Sequence, residues 1–135
     1  MRSDFETIIV SRYDNQILLV TLNRPEVSNA LNTRMGLDLM ELFETLSIDL
    51  EGLRAVIITG SGNKAFCAGG DLKERNGMTD ESWQSQHVIF ERMVRAMMDV
   101  QSRCWPLSTA QPMAAAVRSP RLRISCTPPQ MRALL

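Results

Sequence analysis

One stretch of the sequence, residues 53–74, constrains the fold of this chain more than any other. It begins with an apolar run, residues 54–59, which is rich in β-branched side chains and predicts a buried strand. Residues 60–63, Gly-Ser-Gly-Asn, then break the strand, because these residue types favour tight turns and positive φ. The segment 65–71 follows with mostly small side chains and ends on an acid. Since little Cβ bulk stands in the way, backbone N–H groups of such a loop can approach a ligand closely and hold a developing oxyanion.

The patterns on either side of this stretch indicate an α/β fold. Residues 5–10 and 17–22 predict an antiparallel hairpin joined by a polar turn. A first helix is predicted from residue 32 or 33 to about 50, and a second from 79 to about 98. The order strand, helix, strand predicts a right-handed crossover if the two strands pair in parallel. Apolar residues at helical spacing predict these inward-facing side chains: Met35, Leu39, Leu42, Phe43 and Leu46 in the first helix, and Phe90, Val94 and Met97 in the second.

Two other interpretations of the loop stay open on the sequence. Residues 60–65 fit the pattern G-x-G-x-x-A, and Asp80 lies about 20 residues further on, as in a dinucleotide-binding unit. That fingerprint requires a helix to begin within the glycines, whereas residues 66–70 continue with two more glycines and predict a non-helical path. The second alternative is an ordinary turn between a strand and a helix, with no ligand.

The composition excludes several classes of protein. Hydrophobic residues make up 44% of the chain, as in globular domains, and 15 basic residues balance 15 acidic ones. This balance gives no electrostatic reason to expect nucleic acid or an anionic membrane as a partner. No stretch approaches the roughly 20 apolar residues of a membrane-spanning helix, and residues 1–6 carry two acids where a signal peptide has an apolar core. We therefore predict a cytoplasmic protein that binds neither nucleic acid nor membrane.

The cysteines and the single histidine do not predict a metal site. Cys67, Cys104 and Cys126 form no C-x-x-C pair, and His87 alone cannot complete a zinc site. Cys67 lies in the small-residue loop, so a nucleophilic role has to be weighed. His87 falls in a predicted helix with no Asn or Asp suitably arranged, which favours a small packed cysteine over a catalytic Cys–His pair.

Three motifs together resemble the crotonase superfamily, the enoyl-CoA hydratases and isomerases. They are the run AFCAGGDLKE at 65–74, an element made of Asn-Arg-Pro at 23–25 with Asn-Ala-Leu-Asn at 29–32, and the strand 55–59. The resemblance extends over about residues 5–98. It implies a crotonase-like α/β fold of repeated ββα units wound into a spiral, of which this chain is the truncated N-terminal part. It also implies an acyl-CoA substrate, no cofactor beyond the CoA that the substrate carries, and a homo-oligomer, a trimer or hexamer in the complete form.

The resemblance also implies roles for individual residues. The Ala68 N–H is implied to be one of two oxyanion donors to the thioester carbonyl. Arg24 could reach the CoA phosphates, although a solvated loop charge is the slightly simpler interpretation, and Asp71 and Glu74 are expected to have local structural roles. Trp83, Phe90 and Val94 could line an acyl pocket, but a place in the core is favoured. The residues implied to border the acyl-CoA are Arg24, Ala30, Ala68, Gly69, Gly70, Asp71 and Leu72.

The sequence changes character after residue 99. No Asp or Glu follows Asp99, whereas arginines and prolines recur and interrupt any regular pattern. We therefore predict two parts: a crotonase-like part, residues 1–99, and a basic, proline-containing tail, residues 100–135. Disorder is the simplest expectation for the tail. Binding of RNA or of a partner is an alternative, but the tail lacks the interleaved aromatic residues typical of that role.

A slip of the reading frame near residues 99–100 would explain this tail. In the original frame, each codon would consist of the last base of one present codon and the first two bases of the next. The original codon that spans Cys104 and Trp105 must then encode Leu, and the one that spans Trp105 and Pro106 must encode Ala, because the Trp codon has no synonyms. The remaining codons permit P-V-P-V-L-A-A-V-N-G-A-A-Y-G-G-G-C, which resembles the second crotonase signature. We predict that the tail is a frameshift product.

Such a slip would remove groups that the family uses. The resemblance places the second oxyanion glycine and both hydratase glutamates in later segments, and none of them is in this sequence. The predicted function is therefore that of an enoyl-CoA hydratase/isomerase-type protein with impaired activity. The alternative is a non-catalytic truncated relative that only binds CoA or other subunits.

Overall fold

The computed structural model describes residues 4–102, 117–118 and 123–126. Within these residues, no helix has both the length and the apolar character needed to cross a membrane. The strands are β1 (Ile8–Tyr13), β2 (Ile17–Leu22), β3 (Ala55–Gly60), β4 (Val117–Arg118) and β5 (Arg123–Cys126); the helices are α1 (Thr33–Ile48), α2 (Leu72–Asn76) and α3 (Asp80–Ser102), with a 3-10 turn at Pro25–Val27.

The strands form one mixed sheet in the order β1-β2-β3-β5-β4. The predicted hairpin is confirmed, because β1 and β2 pair antiparallel. Strand β1 begins three residues later than predicted and continues to Tyr13, since residues 14–16 form a tight three-residue turn in which Asp14 and Asn15 take positive φ. Strands β2 and β3 pair in parallel, with α1 between them in sequence.

The core lies between one face of the sheet and α1. Alternate residues of the central strands point into it, including Leu18 and Val20 of β2 and Val56 of β3, each 0% exposed. The predicted apolar stripe of α1 is confirmed at all five positions. The helix begins where the sequence predicts, because the Asn32 side chain accepts a hydrogen bond from the Met35 N–H at 2.9 Å.

Helix α3 packs against α1 through a stripe that matches the predicted one in part, since Met97 packs against the core. Its buried residues are Gln86, Met93, Ala96 and Val100, whereas Trp83 and Val94 are 42% and 48% exposed, so their predicted place in the core is wrong. The two helices approach closely at Gly36, where an added Cβ would lie 2.6 Å from the Phe90 ring. Because apolar residues cover much of the circumference of α3, their spacing alone did not define which side faces α1.

Part of the predicted tail belongs to the sheet. Strand β5 pairs in parallel with β3, and β4 pairs antiparallel with β5. These two strands comprise residues 117–118 and 123–126 of the tail, and disorder of the tail stays a prediction. Helix α3 extends to Ser102, past its predicted end. The other tail residues lie outside the described part of the chain, and the boundary at residue 99 and the frame slip stay predictions.

Candidate functional site

The small-residue loop, residues 61–71, follows β3 and lies against the N-terminal loop, residues 23–32. The Ser61 N–H donates to the Leu22 carbonyl at 2.8 Å, which extends the sheet contact by one residue. No helix begins among the glycines at 60–65; α2 starts only at Leu72. A dinucleotide fingerprint needs a helix N-terminus at those glycines, so the structure contradicts that interpretation.

The buried Asn29 side chain ties the two loops together. Its Oδ1 accepts the Arg24 N–H at 2.9 Å, and its Nδ2 donates to the carbonyls of Ser61 and Ala65 at 2.9 and 3.0 Å. Asn29 is 0% exposed and takes a left-handed φ of 55°. Both N–H donors of its amide are therefore satisfied, which fixes the start of the small-residue loop. This role of Asn29 was not predicted from the sequence, although the residue lies in the Asn-Ala-Leu-Asn motif.

A short backbone ladder joins the two loops further along. Leu31 forms a parallel bridge with Gly70: the Leu31 N–H donates to the Gly69 carbonyl at 2.7 Å, and the Asp71 N–H donates to the Leu31 carbonyl at 2.9 Å. The Ala68 N–H extends this ladder by donating to the Ser28 carbonyl at 3.0 Å. The loop is thus held by main-chain hydrogen bonds on the side that faces residues 28–31.

The hydrogen bond of Ala68 bears directly on its predicted role. An oxyanion donor must have its N–H free for the ligand oxygen. Here the Ala68 N–H is already bonded to Ser28, although Ala68 itself is exposed. This arrangement argues against Ala68 as the donor.

Gly70 presents the free N–H that Ala68 lacks. In a parallel bridge the central residue turns its own N–H and C=O away from the strand that its neighbours contact, so the Gly70 N–H points away from Leu31. Among the described residues no group accepts a hydrogen bond from it. Gly70 is exposed, and an added Cβ would meet no atom within 4 Å. The family resemblance placed Gly70 among the residues that border the acyl-CoA, but its N–H was not singled out, because the register with Leu31 is a long-range contact.

Arg24 is neither a solvated loop charge nor a free cation. Its Nη1 donates to the Ala30 carbonyl at 2.7 Å and to Asp71 Oδ2 at 3.0 Å, and the two side chains are 18% and 11% exposed. This half-buried ion pair fastens the N-terminal loop to the end of the small-residue loop. The interpretation as a solvated charge is wrong; contact with a phosphate stays a prediction.

Asp71 closes the loop and begins the next helix. Its Oδ1 accepts the N–H groups of Lys73 and Glu74 at 3.1 and 3.3 Å, which caps α2. Burial is the largest single influence and raises the Asp71 pKa, but the Glu74 N–H, the Arg24 guanidinium and the Lys73 N–H together outweigh it. The pKa of Asp71 is therefore lowered, and the residue is an ionised structural carboxylate.

Cys67 and His87 lie in different environments. Cys67 is half-buried and packs against the hydrophobic core. His87 is exposed on α3, where its ring stacks on Trp83 with centroids 4.5 Å apart. This placement favours the packed cysteine over a catalytic pair. In the described part of the chain, no group of three His, Cys, Asp or Glu side chains could hold a metal ion.

Comparison with known proteins identifies the family. The sequence profile described as Enoyl-CoA hydratase/isomerase matches residues 12–106, well over half of the chain. The chain belongs to this family. The resemblance to the crotonase superfamily is thereby confirmed for the N-terminal part of the sequence, and so is the crotonase-like α/β fold.

Relatives of this enoyl-CoA hydratase/isomerase family member share its sequence and its fold. Bacillus subtilis YngF, named as an enoyl-CoA hydratase/isomerase, is 32% identical over 117 residues, which are 87% of this chain and 41% of YngF. The (E)-benzylidenesuccinyl-CoA hydratase of Thauera aromatica is 40% identical over 60 residues, covering 44% of this chain and 23% of that enzyme. The crystal structure of an enoyl-CoA hydratase from Mycobacterium smegmatis matches with a TM-score of 0.60 at 37% identity, over 75% of this chain and 38% of the other. The family member described here thus spans less than half the length of these relatives.

Proposed function

We propose that this chain binds the thioester carbonyl of an acyl-CoA through the Gly70 N–H. The observation that carries the proposal is the orientation of that N–H: it is exposed, unbonded within the described residues and turned away from the ladder with Leu31. A donor fixed in this way does not have to reorganise when a carbonyl oxygen arrives, which is what an oxyanion site requires. The class of ligand is taken from the relatives, which are named as hydratases of CoA compounds.

Other residues near Gly70 fit different parts of the ligand. The Leu72 side chain is 70% exposed and follows Gly70 closely enough to offer an apolar contact. Ala30 is 8% exposed and its carbonyl already accepts a hydrogen bond from Arg24, so its part in the site is to support the neighbouring backbone. Ala68 and Gly69 contribute exposed backbone along the same edge. We propose that this edge, including Asp71 and the remaining N–H groups of Arg24, borders the acyl-CoA.

The acids beside this edge do not support hydration. Asp71 caps α2 and pairs with Arg24, while Glu74 Oε2 accepts hydrogen bonds from the Thr33 N–H and from Gln86, each at 2.9 Å. A hydratase needs carboxylates that are free to move a proton to and from water. We therefore propose that turnover is impaired. Binding of CoA or of other subunits without catalysis is the second candidate function, favoured by the engagement of both acids. A trimer or hexamer remains a prediction.

A titration paired with an activity assay separates these candidates. We expect crotonyl-CoA to bind the purified chain several-fold more tightly than free CoA, because a neutral hydrogen bond to the carbonyl is worth about 0.5–1.5 kcal/mol. We expect no hydration of crotonyl-CoA above the uncatalysed rate. Equal affinity for CoA and crotonyl-CoA would favour the second candidate, and measurable turnover would contradict the impairment.

A further inference from the structure

Gln86 is a buried polar residue that the proposed ligand contacts do not use. It lies on α3 and is 3% exposed. Its Nε2 donates to Thr33 Oγ1 at 2.8 Å and to Glu74 Oε2 at 2.9 Å. One side-chain amide therefore joins α3 to the first turn of α1 and to α2, which follows the small-residue loop.

The partners of Gln86 are bonded to each other as well. Glu74 Oε2 also accepts the Thr33 N–H at 2.9 Å. The three residues form a closed set in which one carboxylate oxygen receives two donors. A donor or acceptor left without a partner at such a partly buried place is unfavourable, so the set favours one arrangement of the three helices.

This set lies at the far end of the ladder that orients Gly70. Leu31 and Gly70 form the bridge, and Thr33 and Glu74 follow them along the same two segments. The segments 31–33 and 70–74 are thus joined twice, once by the main-chain hydrogen bonds of the ladder and once by the Glu74 side chain. Gln86 fixes the second junction to α3, which is itself packed on α1.

We infer that Gln86 is a positioning residue for the Gly70 N–H, acting through Glu74 and Thr33. It holds the second junction in place, which keeps the ladder in register and the Gly70 N–H turned outward. The inference rests on the proposed function for its ligand, an acyl-CoA. The hold on the ladder itself can be measured without any ligand.

Three variants separate hydrogen bonding from packing. Gln86→Met keeps the length and volume of the side chain but removes both donors. Gln86→Glu places a second carboxylate against Glu74. In the exchanged double variant, Glu74→Gln with Gln86→Glu, the new amide at position 74 can accept the Thr33 N–H with its oxygen and donate to the new carboxylate at position 86 with its nitrogen. The two contacts that share Glu74 Oε2 in the wild type then fall on two neighbouring atoms, so the double variant removes the clash of charges and re-forms both contacts after a small shift.

Amide hydrogen exchange in the ligand-free chain is the first readout. In both single variants we expect the Leu31, Ala68 and Asp71 amides to exchange about tenfold faster, as loss of roughly 1.4 kcal/mol of local stability implies. Amides of β3 should change by less than about twofold, because they belong to the core sheet. The double variant should return the ladder amides most of the way to wild-type rates and should fold even if Gln86→Glu does not.

Crotonyl-CoA affinity, measured on the same four proteins, is the second readout. We expect a loss of about five- to tenfold in the single variants and recovery in the double variant. Wild-type exchange of the ladder amides in Gln86→Met, or a double variant as perturbed as Gln86→Glu, would overturn the inference. If the wild-type chain does not bind crotonyl-CoA although the exchange pattern is as expected, the proposed function fails and the role of Gln86 in holding the ladder stands.

Discussion

At the scale of single residues, the two glycines before Asp71 differ in what the backbone demands of them. Gly69 takes φ of +92°, a conformation that L side chains rarely adopt, whereas Gly70 does not. Neither glycine has an atom within 4 Å of an added Cβ. Gly69 is therefore needed for the turn of the chain, while Gly70 leaves room for a ligand.

Substituting each glycine by Ala tests this difference. Gly69→Ala should lower the free energy of unfolding by about 1–2 kcal/mol, because the new Cβ forces a strained φ. Gly70→Ala should change it by less than about 0.5 kcal/mol. Urea unfolding of both variants beside the wild type gives the comparison, and equal losses would show that the loop does not hold the φ described here.

Asp71 gives a prediction about pH. Its pKa is lower in the folded chain than the ordinary value of about 3.9 in the unfolded one, so the folded state binds fewer protons. The contribution of Asp71 to stability is therefore complete above about pH 5 and is lost as the pH falls through its folded pKa.

Urea unfolding of the wild type and of Asp71→Asn from pH 6 to 2.5 measures that contribution. We expect the wild type to be the more stable of the two at pH 6 and the difference to shrink steadily below about pH 4. A difference that stays constant over the whole range would mean that the Asp71 carboxylate is not stabilised by Arg24 and the α2 amides.

At the scale of elements, the sequence predicted best where local pattern and tertiary contact agree. The α1 stripe and its Asn32 cap follow from the spacing of apolar residues and from one side-chain acceptor, and both are found. The face of α3 could not be predicted in the same way, because it depends on how closely α1 allows the helix to approach at Gly36. The bridge between Leu31 and Gly70 joins residues far apart in sequence, and no local pattern indicates its register.

Gly36 tests the contact between α1 and α3. Ala at this position would gain about 1 kcal/mol of helix propensity, but its Cβ would lie 2.6 Å from the Phe90 ring. Since overpacking typically costs about 1–3 kcal/mol, we expect Gly36→Ala to be destabilising overall. Thermal or urea unfolding measures this, and the added substitution Phe90→Leu should recover part of the loss. A stabilised Gly36→Ala chain would contradict the close approach of the two helices.

At the scale of the whole molecule, the described residues contain one loop that could hold a ligand and one proposed oxyanion donor, the Gly70 N–H. The family was predictable from three motifs, and the fold class and the order of the first elements from the pattern of apolar and turn residues. The assignment of the donor to Ala68 was not supported, because only the folded chain reveals that Ser28 accepts that N–H. The tail combines a strand beside β3 with a composition unlike that of residues 1–99.

Coding DNA tests the predicted origin of the tail. If the frame slipped near residues 99–100, sequences from independent isolates should restore a segment ending in G-G-G-C in the adjacent frame. An intact reading frame that encodes the present tail in those isolates would contradict the prediction. In a restored chain, the second glycine donor should raise the rate of crotonyl-CoA hydration by about a hundredfold or more.

The central claim, that the Gly70 N–H binds the thioester oxygen, is tested most directly by removing that one hydrogen-bond donor. Cys67 permits chemical ligation of a synthetic segment in which an ester replaces the amide at Gly70, and an ester at Ala68 is the matched control. The measurement is the infrared carbonyl stretch of bound crotonyl-CoA labelled with ¹³C at the thioester. We predict a shift to lower frequency in the wild type and in the Ala68 ester, and its loss in the Gly70 ester. A frequency shift that persists in the Gly70 ester but is lost in the Ala68 ester would contradict the account.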